Sequence, residues 1–303
     1  MPQRVAYVNG RIVPENEACV SIFDRGFLSG YGVFERTRTF NGEPFRLDEH
    51  LARLDMSLRM TRLELGMSLG ELKAQTLEVL NQNLPLRGPK DDYSIGHYVS
   101  LGPGGKPSVV IFTEPIPFAK FAQQYIDGAH VVTPSTRQVP IQSLDPKMKT
   151  TSRIYFHLAE VEAHAVDPEA YALLLDLDGN VCEVSPGANF WIVRRGVLVT
   201  PPGRSILRGI TRDALIDVAG EAGIPVVEQD FQTYDVVTAD EACLTTTSRC
   251  VLPVTRINGL AIGDGKPGPI VGRLQNAWAE HFRFDFVGQA LSHLPEAAAV
   301  HAG

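Results

Sequence analysis

Two hydrophobic periods divide the chain into elements. Residues 4–8 and 11–13 alternate apolar and polar positions around Asn9-Gly10, the dipeptide most strongly tied to two-residue turns, and predict a hairpin over 4–13. Asp24-Arg25-Gly26 leads through a glycine-rich passage, Gly30-Tyr31-Gly32, into a second alternating stretch over 33–40 that Asn41-Gly42 closes. The period then lengthens. Leu47, Leu51, Leu54 and Leu58 recur at spacings of four, three and four, the stripe of an amphipathic helix with Asp48 as its cap; Arg53 and Ser57 lie beside that stripe. A second helix is predicted over about 68–83. Strands follow over 93–101 and 108–112, joined by the loop 102–107.

Composition shifts at Glu114-Pro115-Ile116-Pro117, which reads as a linker. The chain is read as a small N-terminal domain over 1–120, a linker over 121–130, a large domain over 131–285 and a weakly ordered, alanine-rich tail over 286–303. In the second half, 131–133 reads as a strand. Ile154, Leu158, Val161 and Ala165 predict a helix just after Lys149, with Thr151 or Ser152 as cap. Strands are expected over 171–175, 181–183, 189–193, 242–245 and 252–254. Helices are expected from Gly209-Ile210-Thr211-Arg212, with Leu215, Val218 and Ala222 inward, and around Val271, Leu274 and Trp278. The fold class is α/β (α+β), in two domains.

The chain has 303 residues, 44% of them hydrophobic, enough for two cores of ordinary size. Its 28 Lys and Arg are dispersed against 35 Asp and Glu, a net charge of −7, which argues against a nucleic-acid partner. No stretch of 18 apolar residues predicts a membrane span, and residues 1–5 carry no apolar signal region. Cys19, Cys182, Cys243 and Cys250 lack zinc or paired-redox spacing and are expected as buried free thiols in a reducing cytoplasm. No metal is expected.

Four separated stretches each offer one part of a site for a phosphate-bearing cofactor. Lys149, at an element boundary among hydroxyls, offers an amine suited to Schiff-base chemistry. Glu183 offers a carboxylate at the end of an apolar strand. Ile210 and Thr211 open a helix whose first amides suit an anion, and Thr247-Ser248 offers hydroxyls and turn amides. Arg53 adds a bidentate phosphate partner. Pyridoxal phosphate needs this set: an amine, a carboxylate for the ring nitrogen, and a phosphate held from several directions. Taken singly, each of these residues reads more readily as a surface or turn residue.

Together with their order and spacing, the motifs resemble those of the class IV, or fold-type IV, aminotransferases, a family that includes branched-chain and D-amino-acid aminotransferases, R-selective amine transaminases and aminodeoxychorismate lyase. The resemblance rests on Asp24-Arg25-Gly26, Gly32-Val33-Phe34-Glu35, Glu49-His50-Leu51-Ala52-Arg53-Leu54, Leu158-Ala159-Glu160-Val161-Glu162-Ala163, Leu207-Arg208-Gly209-Ile210-Thr211-Arg212 and Pro253-Val254-Thr255-Arg256-Ile257-Asn258-Gly259. It runs over almost the whole chain. It implies two domains with pyridoxal 5'-phosphate and substrate between them, and a homodimer or higher homo-oligomer. Lys149 would be the Schiff-base lysine, 13 residues before Glu162, with Lys147 as the alternative. Glu183 would be the partner of the pyridine nitrogen, and Arg53, Ile210, Thr211, Thr247 and Ser248 the phosphate site. The implied reaction moves an amino group from an amino acid or amine to a 2-oxo acid; a pyruvate-releasing lyase of the aminodeoxychorismate type and a non-catalytic binding protein are the alternatives.

The chain departs from the family in four places. Between Glu183 and Asn189 it is one residue longer. Residues 93–98 lack the arginine of the branched-chain enzymes, and Ser100-Leu101-Gly102 lacks that of the D-amino-acid enzymes. Phe34 stands where tyrosine is common. Neither usual scheme for the substrate carboxylate therefore transfers. Arg137 and Arg249 are the candidate replacements, Arg36 and Arg38 lie near the same strand, and Phe34 is a candidate substrate contact.

Overall fold

The computed structural model describes residues 3–295. The chain forms two compact units, Met1–Ile116 with Met148–Arg153, and Pro117–Lys147 with Ile154–Gly303.

The first unit is built on a six-stranded sheet in the order β2-β1-β6-β5-β3-β4, every pairing antiparallel. Its strands are β1 (Val5–Val8), β2 (Arg11–Pro14), β3 (Gly32–Phe40), β4 (Glu43–Pro44), β5 (Tyr93–Leu101) and β6 (Pro107–Pro115). Asn9 and Gly10 both take positive φ, 49° and 91°, the backbone that closes a two-residue hairpin with the strands' natural twist. A short helix, α1 (Arg25–Ser29), capped by Asp24, leads to β3. Helices α2 (Leu47–Thr61) and α3 (Leu69–Asn83) supply Leu47, Leu51, Leu54, Leu58, Leu72, Val79 and Leu80 to one core with Val33, Ile95, Val99 and Ile111 of the sheet. Ser68 and Glu71 form a reciprocal capping box at the start of α3. Asp48 caps nothing: the cap of α2 is Arg46, in left-handed backbone at φ 48°, and Asp48 receives Lys73 Nζ at 2.6 Å.

The second unit carries nine strands: β7 (Ala129–Val132), β8 (Tyr171–Leu175), β9 (Val181–Val184), β10 (Ala188–Arg194), β11 (Val197–Thr200), β12 (Val226–Glu228), β13 (Glu241–Thr246), β14 (Cys250–Ile257) and β15 (Leu260–Ala261). The pairing β10-β13-β14-β7-β8-β9 returns to β10, so this part of the sheet closes on itself and has no free edge there. Helices α4 (Gln124–Asp127), α5 (Ile154–Val166), α6 (Ile210–Glu221), α7 (Thr233–Val237), α8 (Pro269–Phe282) and α9 (Phe286–Leu291) complete the unit.

Four further readings of the sequence are corrected. The segment 121–130 is no linker: Phe121, Ala122 and Tyr125 are buried and β7 begins at Ala129, so the chain passes between units at Ile116–Pro117. Met148–Arg153 belongs to the first unit, because Thr150 pairs with Val33 and the amide of Thr151 donates to the carbonyl of Gly32 at 2.9 Å. Part of the expected loose tail is helix α9, anchored by buried Phe286 and Ala290; residues 296–303 lie outside the described residues. Finally, α5 turns its predicted stripe outward. Ile154, Leu158 and Val161 are 69%, 50% and 54% exposed, while Phe156, Ala159 and Ala163 pack inward against Ala172 and Leu174. Both faces of this helix are apolar, and the small alanines permit the closer approach to the sheet.

Within the core of the first unit, His97 is fully buried with Nε2 2.9 Å from Thr76 Oγ1, and burial pushes its pKa down to about 4. Its folded value lies below the unfolded value of about 6.5, so its contribution is complete above the unfolded value and is lost as the pH falls through it toward about 4. Thermal denaturation scans should show melting temperature falling across this window, and His97→Gln should flatten that slope. An unchanged slope in His97→Gln would assign it to other groups.

Candidate active site

The candidate residues fall into two sets, one in each unit. In the first unit they stand on β3, α2 and the returning segment Met148–Arg153. The buried face of α2 carries more than leucines: His50, Arg53 and Ser57 sit on it at spacings of three and four. Arg53, 9% exposed, grips the carboxylate of Glu35 on β3 with two bonds, Nε to Oε2 at 2.8 Å and Nη2 to Oε1 at 2.5 Å. His50 Nδ1 meets Glu35 Oε1 at 3.2 Å. Burial alone would raise the pKa of Glu35, but Arg53 and His50 outweigh it and hold the carboxyl well below its usual range. Burial likewise depresses His50, which stays neutral.

One turn further along α2, Ser57 Oγ accepts the backbone N–H of Lys149 at 3.1 Å, and the Lys149 carbonyl accepts the amide of Phe34 at 2.9 Å. Residue 149 is thus fixed through both its amide and its carbonyl, which lie in the two peptide planes that flank its Cα. Its Nζ lies 4.6 Å from the centroid of the Phe34 ring. Thr151 and Ser152, expected to cap α5, instead donate their hydroxyls to the carbonyl of Gly30, at 3.1 and 2.8 Å. Lys147 Nζ pairs with Asp145 Oδ1 at 2.9 Å.

In the second unit, Glu183 is 6% exposed on β9, directly opposite Asn189 on β10. The extra residue is absorbed by the turn at 185–187 beyond that pair, which leaves the pair in register. Glu183 Oε1 accepts the amide of Leu207 at 2.6 Å and Asn189 Nδ2 donates to the Leu207 carbonyl at 2.9 Å, so the strand pair fixes the approach to α6. That helix begins at Gly209 with no side-chain cap, which leaves its first-turn amides for a ligand at Ile210 and buried Thr211. A Cβ on Gly209 would come within 2.2 Å of Asn189 Oδ1, so only glycine allows this approach. Thr247 and Ser248 are half-buried in the turn between β13 and β14, where the Arg249 amide donates to Thr246 Oγ1 at 2.9 Å.

The candidate cations differ in their surroundings. Arg249 lies between two rings, 4.9 Å from Phe121 and 5.2 Å from Tyr171, and its buried Nε hydrogen-bonds to nothing among the described residues. Arg137 donates Nη1 to the carbonyls of Pro134 and Ser135, and Glu162 holds the same loop through Thr136. Arg38 is buried, its guanidinium 4.0 Å from Asp92. The supporting residues Glu35, His50 and Ser57 were not singled out from the sequence. The signal for two of them is the polar spacing 50, 53, 57, which runs parallel to the leucine stripe.

An amine set between two backbone bonds, a near-buried strand carboxylate, an uncapped helix start, a hydroxyl turn and a fixed arginine are the donors that pyridoxal phosphate requires. Comparison with known proteins shows the family. The model of the family described as amino-transferase class IV matches residues 32–257. A Methanocaldococcus jannaschii protein provisionally named a branched-chain-amino-acid aminotransferase is 36% identical over 284 residues, 90% of this chain and 95% of its own. The D-alanine aminotransferase of Bacillus licheniformis is 32% identical, over 89% of this chain and 94% of its own. The crystal structure of Escherichia coli branched-chain amino acid aminotransferase superimposes with a TM-score of 0.85 at 27% identity, covering 92% of this chain and 95% of that one. The chain belongs to the class IV aminotransferases, enzymes that use pyridoxal phosphate. The lyase alternative is not favoured.

The Glu35 network predicts a large stability cost. Glu35→Gln removes the charge that two bonds from buried Arg53 meet, and urea denaturation should show a loss of about 3–5 kcal/mol. A loss below about 1 kcal/mol would show that solvent replaces the carboxylate.

Proposed function

We propose that the chain transfers an amino group between an amino acid, or an amine, and a 2-oxo acid, with Lys149 as the residue that binds the cofactor covalently. The observation that carries this reading is the position of Lys149: its backbone is fixed to Ser57 and Phe34, and its amine is set against the Phe34 ring. Pyridoxal phosphate, when bound, supplies an electron sink for the carbanion formed at the substrate's Cα. Lys149 Nζ moves the proton to and from that carbon. Glu183 keeps a proton on the ring nitrogen, and its bond from the Leu207 amide orients it for this. Arg53, Ile210, Thr211, Thr247 and Ser248 hold the phosphate. Glu35 fixes the guanidinium plane of Arg53, so that cation is ordered before the ligand arrives. Phe34 contacts the substrate, and Arg249 or Arg137 receives the α-carboxylate.

Its relatives include enzymes named for branched-chain amino acids and for D-alanine, and the donor is drawn from these classes. A panel of L- and D-amino acids and R- and S-amines, read by cofactor absorbance, tests this: conversion by one amino-acid class is expected, and conversion by none would overturn the reading. Lys149→Ala should abolish transfer and the visible band, with Lys147→Ala retaining both; the reverse would move the role to Lys147. Glu183→Gln should keep the cofactor yet lose on the order of 10²–10⁴-fold in rate.

The enzyme is further proposed to be a cytoplasmic homodimer or higher homo-oligomer. Cys19 is exposed, against the expectation of burial, while the buried thiols of Cys182, Cys243 and Cys250 suit a reducing compartment. No helix among the described residues is long and apolar enough to cross a membrane. The outward apolar face of α5, with Ile154, Leu158 and Val161, supports a second copy as its cover. Light scattering should find a dimer or larger assembly for the native protein and a smaller species for Leu158→Asp; an unchanged assembly would place the contact elsewhere.

A further inference from the structure

We propose that Arg36 is the specificity-determining cation for a carboxylate carried on the substrate's side chain, received in exchange for Glu114. The inference rests on the proposed role of Lys149 and deepens it.

The relevant face of the sheet consists of two cross-strand rows in the first unit. Phe34 of β3 stands opposite Tyr98 of β5, and their rings stack at 5.4 Å. The next row is Arg36, Gly96 and Phe112, on β3, β5 and β6. Gly96 is the opening in that row. A Cβ there would come within 2.6 Å of the Phe112 ring, so the position holds no side chain. The Arg36 guanidinium crosses the gap to lie 4.9 Å from the Phe112 ring centroid and 5.8 Å from that of Tyr98. Its Nη1 reaches Glu114 Oε2 at 2.5 Å. These two rings fix the cation's position by cation–π attraction, and the guanidinium also hydrogen-bonds to the Tyr98 side chain and reaches Ser94 Oγ at 3.5 Å.

Reach separates this cation from one that would bind the α-carboxylate. The Lys149 amine sits against the Phe34 row. Rows on one face of a strand are two residues, or about 7 Å, apart. The α-carboxylate is only two bonds from the reacting nitrogen and stays in the Phe34 row. A carboxylate two or three carbons further along the substrate reaches the Arg36 row. The exchange conserves charge: Glu114 is half exposed, with 52% of its side chain open, and it moves into water as the substrate carboxylate takes its place on a cation that is 27% exposed.

The test compares two amino acceptors of similar length, 2-oxoglutarate and 2-oxohexanoate, in the native holoenzyme and in Arg36→Gln and Glu114→Gln. Arg36→Gln should raise the KM for 2-oxoglutarate about ten- to a hundredfold, with kcat and the KM for 2-oxohexanoate changing less than about twofold. Arg36→Lys should restore part of the loss. Glu114→Gln should lower the KM for 2-oxoglutarate alone. Calorimetric binding of glutarate should follow the same order without any turnover. Equal losses for both acceptors in Arg36→Gln, or glutarate affinity that Arg36→Gln and Glu114→Gln leave unchanged, would overturn the assignment. If Arg36→Gln does not fold, Glu114→Gln decides. A native holoenzyme that uses neither acceptor with any donor would instead overturn the aminotransferase reading on which the assignment rests.

Discussion

A buried carboxylate organises the first unit. Glu35 has no exposure, and an isolated charge in that place would cost several kcal/mol. It is tolerated because Arg53 meets both its oxygens and His50 meets one of them. Both partners project from the same face of α2, so the ion pair sets the rotation of that helix against β3. Ser57, further along the same face, then meets the backbone of residue 149. One electrostatic requirement therefore fixes the helix, the arginine and, through the helix, the lysine.

The fold was legible where a single period dominated. The hairpin around Asn9-Gly10, the leucine stripe of α2 and the apolar run of β8 appear in the structure with ends shifted by a residue or two. Legibility failed where two patterns shared one element. On α5 the larger side chains drew the eye to Ile154, Leu158 and Val161, yet the face against the sheet is Phe156, Ala159 and Ala163. On α2 the polar residues of the buried face seemed to lie outside the core, because periodicity weighs hydrophobicity and not partners. Segment Met148–Arg153 returns to β3 through backbone bonds, which no side-chain pattern encodes.

The candidate chemistry was legible in a different way. Lys149, Glu183, Arg53, Thr211 and the hydroxyl turn were read from motif order, with little help from local physics. What motif order concealed is the scaffolding: Leu207 bonded at once to Glu183 and Asn189, and the glycine at 209 that lets the start of α6 come close. The missing arginine on β5 is a related case. Residues 93–98 read as a loss on their own strand, and only the register shows the Arg36 cation crossing that strand at Gly96.

The claim on which the account stands is that Lys149, and not Lys147, carries the cofactor. Borohydride reduction of the native holoenzyme, followed by protease digestion and mass mapping, reads this without any substitution. The account predicts the phosphopyridoxyl mass on a peptide whose fragment ions place it at Lys149. The same mass on Lys147, or on no lysine of the segment 145–153, would contradict it.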